Sequence, residues 1–335
     1  MKIADFDYLL PEDLIAARPL GDRTSSRLLV LHRDGTLEHS AFSSVVSYIN
    51  RGDMLIVNNT KVFPARLAGL RSNGRRLEIL LVKELEKDTW EVLSKGRYTG
   101  VVVFSDEFSA EIRNGEVARF FYAGNFMENV WKYGSMPLPP YMKRPPDESD
   151  KDTYQTAYAK QEGSIAAPTA GLHFSPSIFE RMISKGVNVR ELTLHVGIGT
   201  FKPIRTENVE EHSMDTEYFE ITKGLLNEID ETRASGGRVF AVGTTTTRAL
   251  EGFRSGNCVT ASKNGSIQGA TNIFVYPGYS FKVVDSLITN FHLPRSTPLM
   301  LASAFCSREK LFKAYAEAVR LRYRFLSYGD AMLIL

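Results

Sequence analysis

The sequence predicts an α/β domain, layered and discontinuous, over residues 1–57 and 150–335, with a small antiparallel β-barrel domain over 58–149 inserted into it. Three observations carry this. LLVL at 28–31 and MLIV at 54–57 are short apolar runs flanking a helix-sized segment, and RVFAV at 238–242 leads through a tight loop into another helical pattern. Between these two regions, from Val62 to Arg119, the texture changes to short alternating segments punctuated by Ser72-Asn73-Gly74 and Arg113-Asn114-Gly115, the usual chemistry of hairpins. The stretch PLPPYMKRPP from Pro137 to Pro146 lacks backbone donors at five positions and runs extended into the polar DESDKD, which marks a boundary.

The elements follow in order. A helix from Ser43 to Asn50 separates the first two strands, and Gly52 is available to end it. Beyond the boundary, Ser175 caps a helix that has Pro176 in its first turn and Gly186 to close it. Thr222 opens the next helix, which ends near Gly236 and Gly237. The strand at 238–242 then passes through GTTTT into a further helix, so strand, loop and helix alternate as in a partly parallel sheet.

Bulk properties narrow the function classes. A chain of 335 residues exceeds one small core, and the prior of roughly 150 residues per domain suggests two. Apolar and charged fractions of 43% and 24% are those of a globular protein, and a net charge of +2 excludes a polycation, so any nucleic-acid contact must come from a local patch. Cys258 and Cys306 are the two cysteines and lie far apart, which argues against a disulfide framework or a zinc site and fits a reducing, cytoplasmic location. The N-terminal MKIADFDYLLPEDLIAARP mixes acids and prolines, and no run approaches the roughly 18 apolar residues of a membrane span. Neither export nor membrane insertion is expected.

The richest stretch runs from Gly163 to Ile204, where Pro168, Gly171, Gly197 and Gly199 crowd around His173 and His195. Either the backbone there approaches a ligand closely, or these are turns between buried strands. VGTTTTRALE, from Val242 to Glu251, places hydroxyls where a strand passes into a helix, as an anion site or as simple N-capping. His173, His195, His212 and His292 are never three to five residues apart, so no metal site is expected; imidazoles instead suit acid–base work or structural hydrogen bonding. Lys202 and Arg205 follow the second histidine segment, Arg66 and Arg71 belong to the barrel, and solvated surface is their default role. Arg320, Arg322 and Arg324 alternate with Leu321, Tyr323 and Phe325, as an edge stripe, a charged helix end or an RNA contact.

Several long motifs occur in one order: RTSSRLLVL at 23–31, GDMLIVNNTKVFPARLAG at 52–69, MPLPPYMKRPP at 136–146, GSIAAPTAGLHF at 163–174, LHVGIGTFKPI, VGTTTTRALE, TNIFVYPGYSFKVVDSLITNFHLPRSTPLMLASAF and RFLSYGDAMLI at 324–334. Together they resemble the S-adenosylmethionine:tRNA ribosyltransferase-isomerase family over nearly the whole chain. Glu211 departs from the pattern, standing where methionine is expected before His212.

The resemblance implies a two-domain fold of the kind read above. It also implies transfer and isomerisation of the ribosyl part of S-adenosylmethionine onto the aminomethyl group of 7-aminomethyl-7-deazaguanine at the tRNA wobble position, giving epoxyqueuosine and releasing adenine and methionine. S-Adenosylmethionine is then a consumed substrate, no cofactor or metal is expected, the macromolecular partner is the modified tRNA, and a monomer is the default. On this reading His173 or His195 is the base that removes a proton made acidic by the sulfonium, and the other assists adenine departure or orients the sugar. Thr169, Gly171, Gly197, Gly199, Thr200, Arg248, Asn290 and His292 line the donor, while the Thr244 and Thr245 loop receives its methionine carboxylate. Arg66, Lys202 and Arg205 meet phosphates, and Tyr141 and Tyr328 are stacking platforms for the wobble base. Two rivals remain: an RNA-binding protein without catalysis, and a transferase acting on free nucleosides.

Overall fold

The computed structural model describes residues 1–197, 199, 204–263 and 265–335. A ten-stranded mixed sheet runs in the order Val259–Lys263, Ser266–Thr271, Glu217–Thr222, Asn188–His195, Met54–Asn58, Val239–Val242, Ser286–Asn290, Ala331–Ile334, Arg27–Leu31 and Leu37–Ala41. The strands from Asn188–His195 to Ser286–Asn290 are mutually parallel, and antiparallel strands extend the sheet on both sides. Both termini of the chain contribute: Leu28 pairs with Ala331 in parallel register.

Strand alternation sorts the apolar side chains into two layers. Leu55, Val57, Phe240 and Val242 pack with Val45 of the short helix Val45–Tyr48 and with Ile178 and Met182 of helix Pro176–Ser184. Met54, Ile56, Val239 and Ala241 pack on the other face with Leu225 and Ile229 of helix Lys223–Ala234 and with Ala249 and Leu250 of helix Thr244–Ser255. Further along that face, Leu29, Leu31, Met332 and Ile334 meet helices Thr297–Cys306 and Arg308–Arg320. Each such fully buried aliphatic or aromatic side chain contributes roughly 1.5–3 kcal/mol. The strands are therefore covered on both sides, as their continuous apolar runs require.

The inserted unit is a closed six-stranded antiparallel barrel running from Arg66–Arg71 to Val117–Tyr122. Leu67, Ile79, Val92, Val102, Phe108 and Ile112 fill it. Asn114 and Gly115 both take positive φ, 54° and 73°, as a tight turn between twisted strands requires. Helix Phe126–Tyr133 follows, with Asn125 accepting a bond from the Glu128 amide and Val130 buried against the barrel. That cap was readable in the sequence but formed no part of the expected element order.

Local expectations held unevenly. Thr222 caps its helix through the Leu225 amide, and Gly186 takes a φ of 86°. Ser175 begins its helix without a side-chain cap, because its hydroxyl bonds to Ser177 instead. The helix expected over Ser43–Asn50 is a 3-10 turn, Phe42–Ser44, followed by the single turn Val45–Tyr48. Ile49 leaves helical geometry with φ −106° and ψ 122°, and the Asn50 amide turns to the Asp53 carboxylate. The arginine alternation near the C-terminus is structural: helix Arg308–Arg320 ends, Tyr323 and Phe325 are buried, Arg322 pairs with Asp13, and the Arg27 guanidinium lies 4.0 Å from the Tyr323 ring centroid. Among the described residues, no helix is long and apolar enough to cross a membrane.

Candidate functional site

Strands Asn188–His195, Met54–Asn58, Val239–Val242 and Ser286–Asn290 all end on the same side, and a cavity of about 550 Å³ lies beyond their carboxyl ends. Ligand crevices in open α/β sheets form at such places because the loops leaving parallel strands diverge there. Val242 passes into Gly243, whose φ of 87° and ψ of 157° suit glycine alone, and Thr244 and Thr245 then open a helix whose first turn borders the cavity. The Ser286–Asn290 strand delivers Thr289, Asn290 and His292 to the wall. The turn Thr169–His173 brings Thr169, and Tyr141, Tyr154 and Ser327 close the side opposite.

A chain of hydrogen bonds runs from the cavity into the core. Thr169 donates to Asn290 Oδ1 at 2.9 Å, and Asn290 Nδ2 donates to His173 Nε2 at 3.0 Å. With Nε2 accepting, Nδ1 carries the proton and donates to Ser26 Oγ at 2.8 Å, while the Ser26 hydroxyl points to the Arg23 carbonyl at 3.3 Å. His173 is only 4% exposed, and burial, reinforced by the charge of Arg324, pushes its pKa down to about 3. It is thus a neutral ring that fixes the Asn290 amide, not a group open to a ligand in the large cavity. His292 lies on the cavity wall with Nε2 2.8 Å from the Thr289 hydroxyl, and burial pushes its pKa to about 3 as well.

His195 is placed differently. Its Nδ1 meets the Thr60 hydroxyl at 2.9 Å, Gly163 presents its bare backbone to the ring, and the imidazole lines a separate groove with Tyr218 and Glu220. Burial lowers its pKa and the nearby Glu220 opposes that shift. The next residue, Val196, lines the 550 Å³ cavity, so strand alternation sends the two side chains to opposite sides. The expectation that both imidazoles enclose one pocket is therefore corrected: the cavity imidazole is His292, with His173 one hydrogen bond behind Asn290.

Other expected residues fall as follows. Thr169, Thr244, Thr245, Asn290 and His292 gather at the large cavity, as does Tyr141, whose hydroxyl bonds to Ser327 at 2.5 Å. Gly171 faces away, since a Cβ there would sit 2.0 Å from the Tyr158 hydroxyl; its bareness serves packing. A Cβ on Gly199 would meet Asp215 at 2.7 Å, and neither Gly199 nor Gly197 is on the cavity wall. Arg248 is 6% exposed, pairs with Glu217 at 2.5 Å and borders a small side cavity shared with Thr244 and Thr245. Arg66 pairs with Glu78 across the barrel wall at 2.5 Å, whereas Arg205 is exposed. Tyr328 is 5% exposed and approaches Asp150 and Thr153, so it has no open face for stacking. Thr200 and Lys202 lie outside the described residues. Among the described residues, no group of three or more His, Cys, Asp or Glu is placed to hold a metal ion.

Two residues escaped the sequence reading. Asn58 is fully buried at the end of its strand: its amide donates to the Leu194 carbonyl at 2.9 Å and to Thr245 Oγ1 at 3.3 Å, and its carbonyl accepts from the Leu194 and Thr60 amides. It braces two strand ends to the first turn of the Thr244–Ser255 helix. Two asparagines directly after MLIV were the available signal, since a polar amide terminating a fully buried strand needs a partner. Tyr154 is also fully buried on the cavity wall, and nothing in its sequence surroundings announced it.

An α/β sheet with a cavity at its parallel strand ends and a barrel inserted between the chain's two contributions to that sheet defines the architecture to be compared. A profile of the queuosine biosynthesis protein family matches residues 3–334. An S-adenosylmethionine:tRNA ribosyltransferase-isomerase of Thermodesulfovibrio yellowstonii is 55% identical, and one of Pelotomaculum thermopropionicum 49% identical, each over 100% of both chains. The crystal structure of S-adenosylmethionine tRNA ribosyltransferase from Thermotoga maritima is 35% identical, with a TM-score of 0.57, covering 99% of this chain and 100% of that one. The chain belongs to the queuosine biosynthesis protein family.

Proposed function

We propose that this enzyme transfers and isomerises the ribosyl group of S-adenosylmethionine onto the aminomethyl group of 7-aminomethyl-7-deazaguanine at the wobble position of tRNA, giving epoxyqueuosine and releasing adenine and methionine. Full-length identity to relatives named for ribosyl transfer from S-adenosylmethionine to tRNA carries the reading. The 550 Å³ cavity supports it, being within the usual range for a nucleoside-sized ligand.

The chemistry assigns distinct tasks to the groups around that cavity. A sulfonium acidifies the adjacent C5′ hydrogens, so a neutral imidazole can accept one as adenine is expelled. His292 is that imidazole. Burial keeps the ring unprotonated at neutral pH, in the accepting form; the same shift weakens it as a base, which the sulfonium's acidification of C5′ must offset, and makes its protonated form quick to return the proton to the departing adenine. The substrate amine adds to the unsaturated sulfonium, the resulting ylide closes on the C1′ carbonyl, and the alkoxide displaces methionine to form the epoxide. Water would quench the carbanion-like species, and the apolar wall of Ala166, Ala167 and Ala170 excludes it. Asn290 and Thr169 orient the sugar, and His173 acts through Asn290 as a positioning residue. A wobble base comes from a single-stranded loop, so its presentation costs less than extraction from a duplex.

Mass spectrometry of tRNA carrying the 7-deazaguanine, after incubation with the enzyme and S-adenosylmethionine, tests the reading. A modified anticodon nucleotide with release of adenine is expected. Binding without a mass change would favour the RNA-binding rival, and modification of free nucleosides alone would favour the small-molecule transferase.

A further inference from the structure

Beside the large cavity lies a side pocket of about 20 Å³ that shares Thr244 and Thr245 with it. Its remaining wall includes Arg248, Thr297 and the apolar Ile273 and Leu301. Donors from one helix start and one guanidinium converge there, beside the start of a second helix. Helix Thr244–Ser255 begins at Gly243, which offers no side chain to cap the first amides. Helix Thr297–Cys306 begins at the same wall; Ser296 already caps its Leu299 amide and Pro298 has no N–H, so it adds the positive end of its dipole rather than free donors. Arg248, four residues into the first helix, reaches back along the face of Thr244, as long helical side chains do.

The guanidinium supplies the second, independent sign of a ligand. Its Nε donates to the Ile273 carbonyl at 3.2 Å and its Nη1 to Glu217 at 2.5 Å. Its Nη2 is buried and has no hydrogen-bond partner among the described residues. A buried guanidinium nitrogen is costly to leave unmatched, and such a group in a native fold calls for an acceptor.

We infer that this pocket, formed by Arg248 and the first turns of helices Thr244–Ser255 and Thr297–Cys306, seats the carboxylate of the donor's amino-acid portion. The inference rests on the proposed use of S-adenosylmethionine and sharpens the expectation for the Thr244–Thr245 loop by adding a side pocket and the open Arg248 Nη2 that would hold the carboxylate. The space is too small for a phosphate and takes a single carboxylate oxygen. Since Thr244 and Thr245 belong to both cavities, a nucleoside in the larger one can extend its amino-acid tail into the smaller. Glu217 already balances the Arg248 charge, so the pocket attracts through directed N–H groups and helix ends more than through net charge.

Calorimetric binding of S-adenosylmethionine and of its decarboxylated analogue to the full-length protein decides the matter. The wild type is expected to prefer the carboxylated form by about 10- to 100-fold, the range for a hydrogen bond to a charged group. Arg248→Lys can keep an ion pair with Glu217 but loses the forked donor, and Thr244→Val alters the pocket mouth without touching that pair. Both variants should reduce the preference at least several-fold. Equal binding of the two sulfonium compounds by the wild type, or an undiminished preference in both variants, would overturn the carboxylate seat. Should Arg248→Lys fail to fold, the Thr244→Val preference alone decides. Binding with the expected preference but no tRNA modification would sink the proposed reaction and leave the seat standing; a protein that binds neither sulfonium overturns both.

Discussion

His173 and His292 show how burial sets what an imidazole can do. Each is held neutral with a pKa near 3, whereas an unfolded chain leaves histidine near 6.5. Below that value the unfolded chain takes up protons that the fold refuses. Their contribution to stability is therefore complete above about pH 6.5 and is lost as the pH falls towards 3, at about 1.4 kcal/mol per pH unit for each ring. Urea unfolding at a series of pH values should show this slope, and His173→Asn should make it shallower; an unchanged slope would mean that the ring is already charged in the fold. Replacing His292 by alanine should suppress adenine release with near-native stability, while Asn290→Ala, which misplaces the sugar, should lower kcat by about 100-fold. Turnover measured by adenine release checks both. At this scale the helix-start chemistry marked Thr244 and Thr245, and the resemblance to the family added Thr169, Asn290 and His292. It misjudged His195, because one step of strand register decides which of His195 and Val196 faces the cavity.

Helix Thr244–Ser255 is the element on which the site depends. Asn58 holds its first turn, and Glu251, fully buried near its other end, accepts from the Tyr279 hydroxyl and from the Lys282, Val283 and Val284 amides, each at 2.9 Å. That carboxylate pins the segment leading into strand Ser286–Asn290, and so the helix and the strand that supply opposite walls of the cavity are tied together. Glu251→Ala leaves three amides without an acceptor and should lower stability by roughly 3–5 kcal/mol, read as a drop in the urea midpoint. Gly243→Ala forces an alanine into a region open only to glycine; a loss of about 1–3 kcal/mol is expected, with weaker donor binding because Thr244 shifts. The strand and helix here were readable from RVFAV and GTTTT. Glu251 was quoted only as the end of a motif, since nothing local shows that amides 31 to 33 residues away converge on it.

Across the whole molecule, the barrel meets the sheet through a polar link beside the His195 groove: Lys83 of the barrel donates to Tyr218 at 2.9 Å. A long nucleic acid reaching the 550 Å³ cavity must also cross exposed surface, and Arg205, one residue from the cavity-lining Ile204, is the exposed cation expected to meet it. Arg205→Ala should weaken tRNA binding and flatten the plot of log affinity against log salt by about 0.7, the value for one contact to a single strand. Filter binding across a salt series measures it, and an unaltered slope would move the RNA path elsewhere.

Local chemistry in the chain was enough to specify an α/β layer interrupted by a barrel, since apolar runs, Asn-Gly turns and helix-ending glycines act over a few residues. The family motifs added the type of reaction and most of the cavity wall. Tertiary structure alone decided which imidazole stands in the cavity, that Asn58 and Glu251 brace it, and that Arg248, beside two helix starts, carries a nitrogen with no partner among the described residues. Those outcomes depend on strand register and on contacts between segments distant in sequence, and a hydrogen bond formed across more than a hundred residues leaves no periodic trace in either partner's neighbourhood.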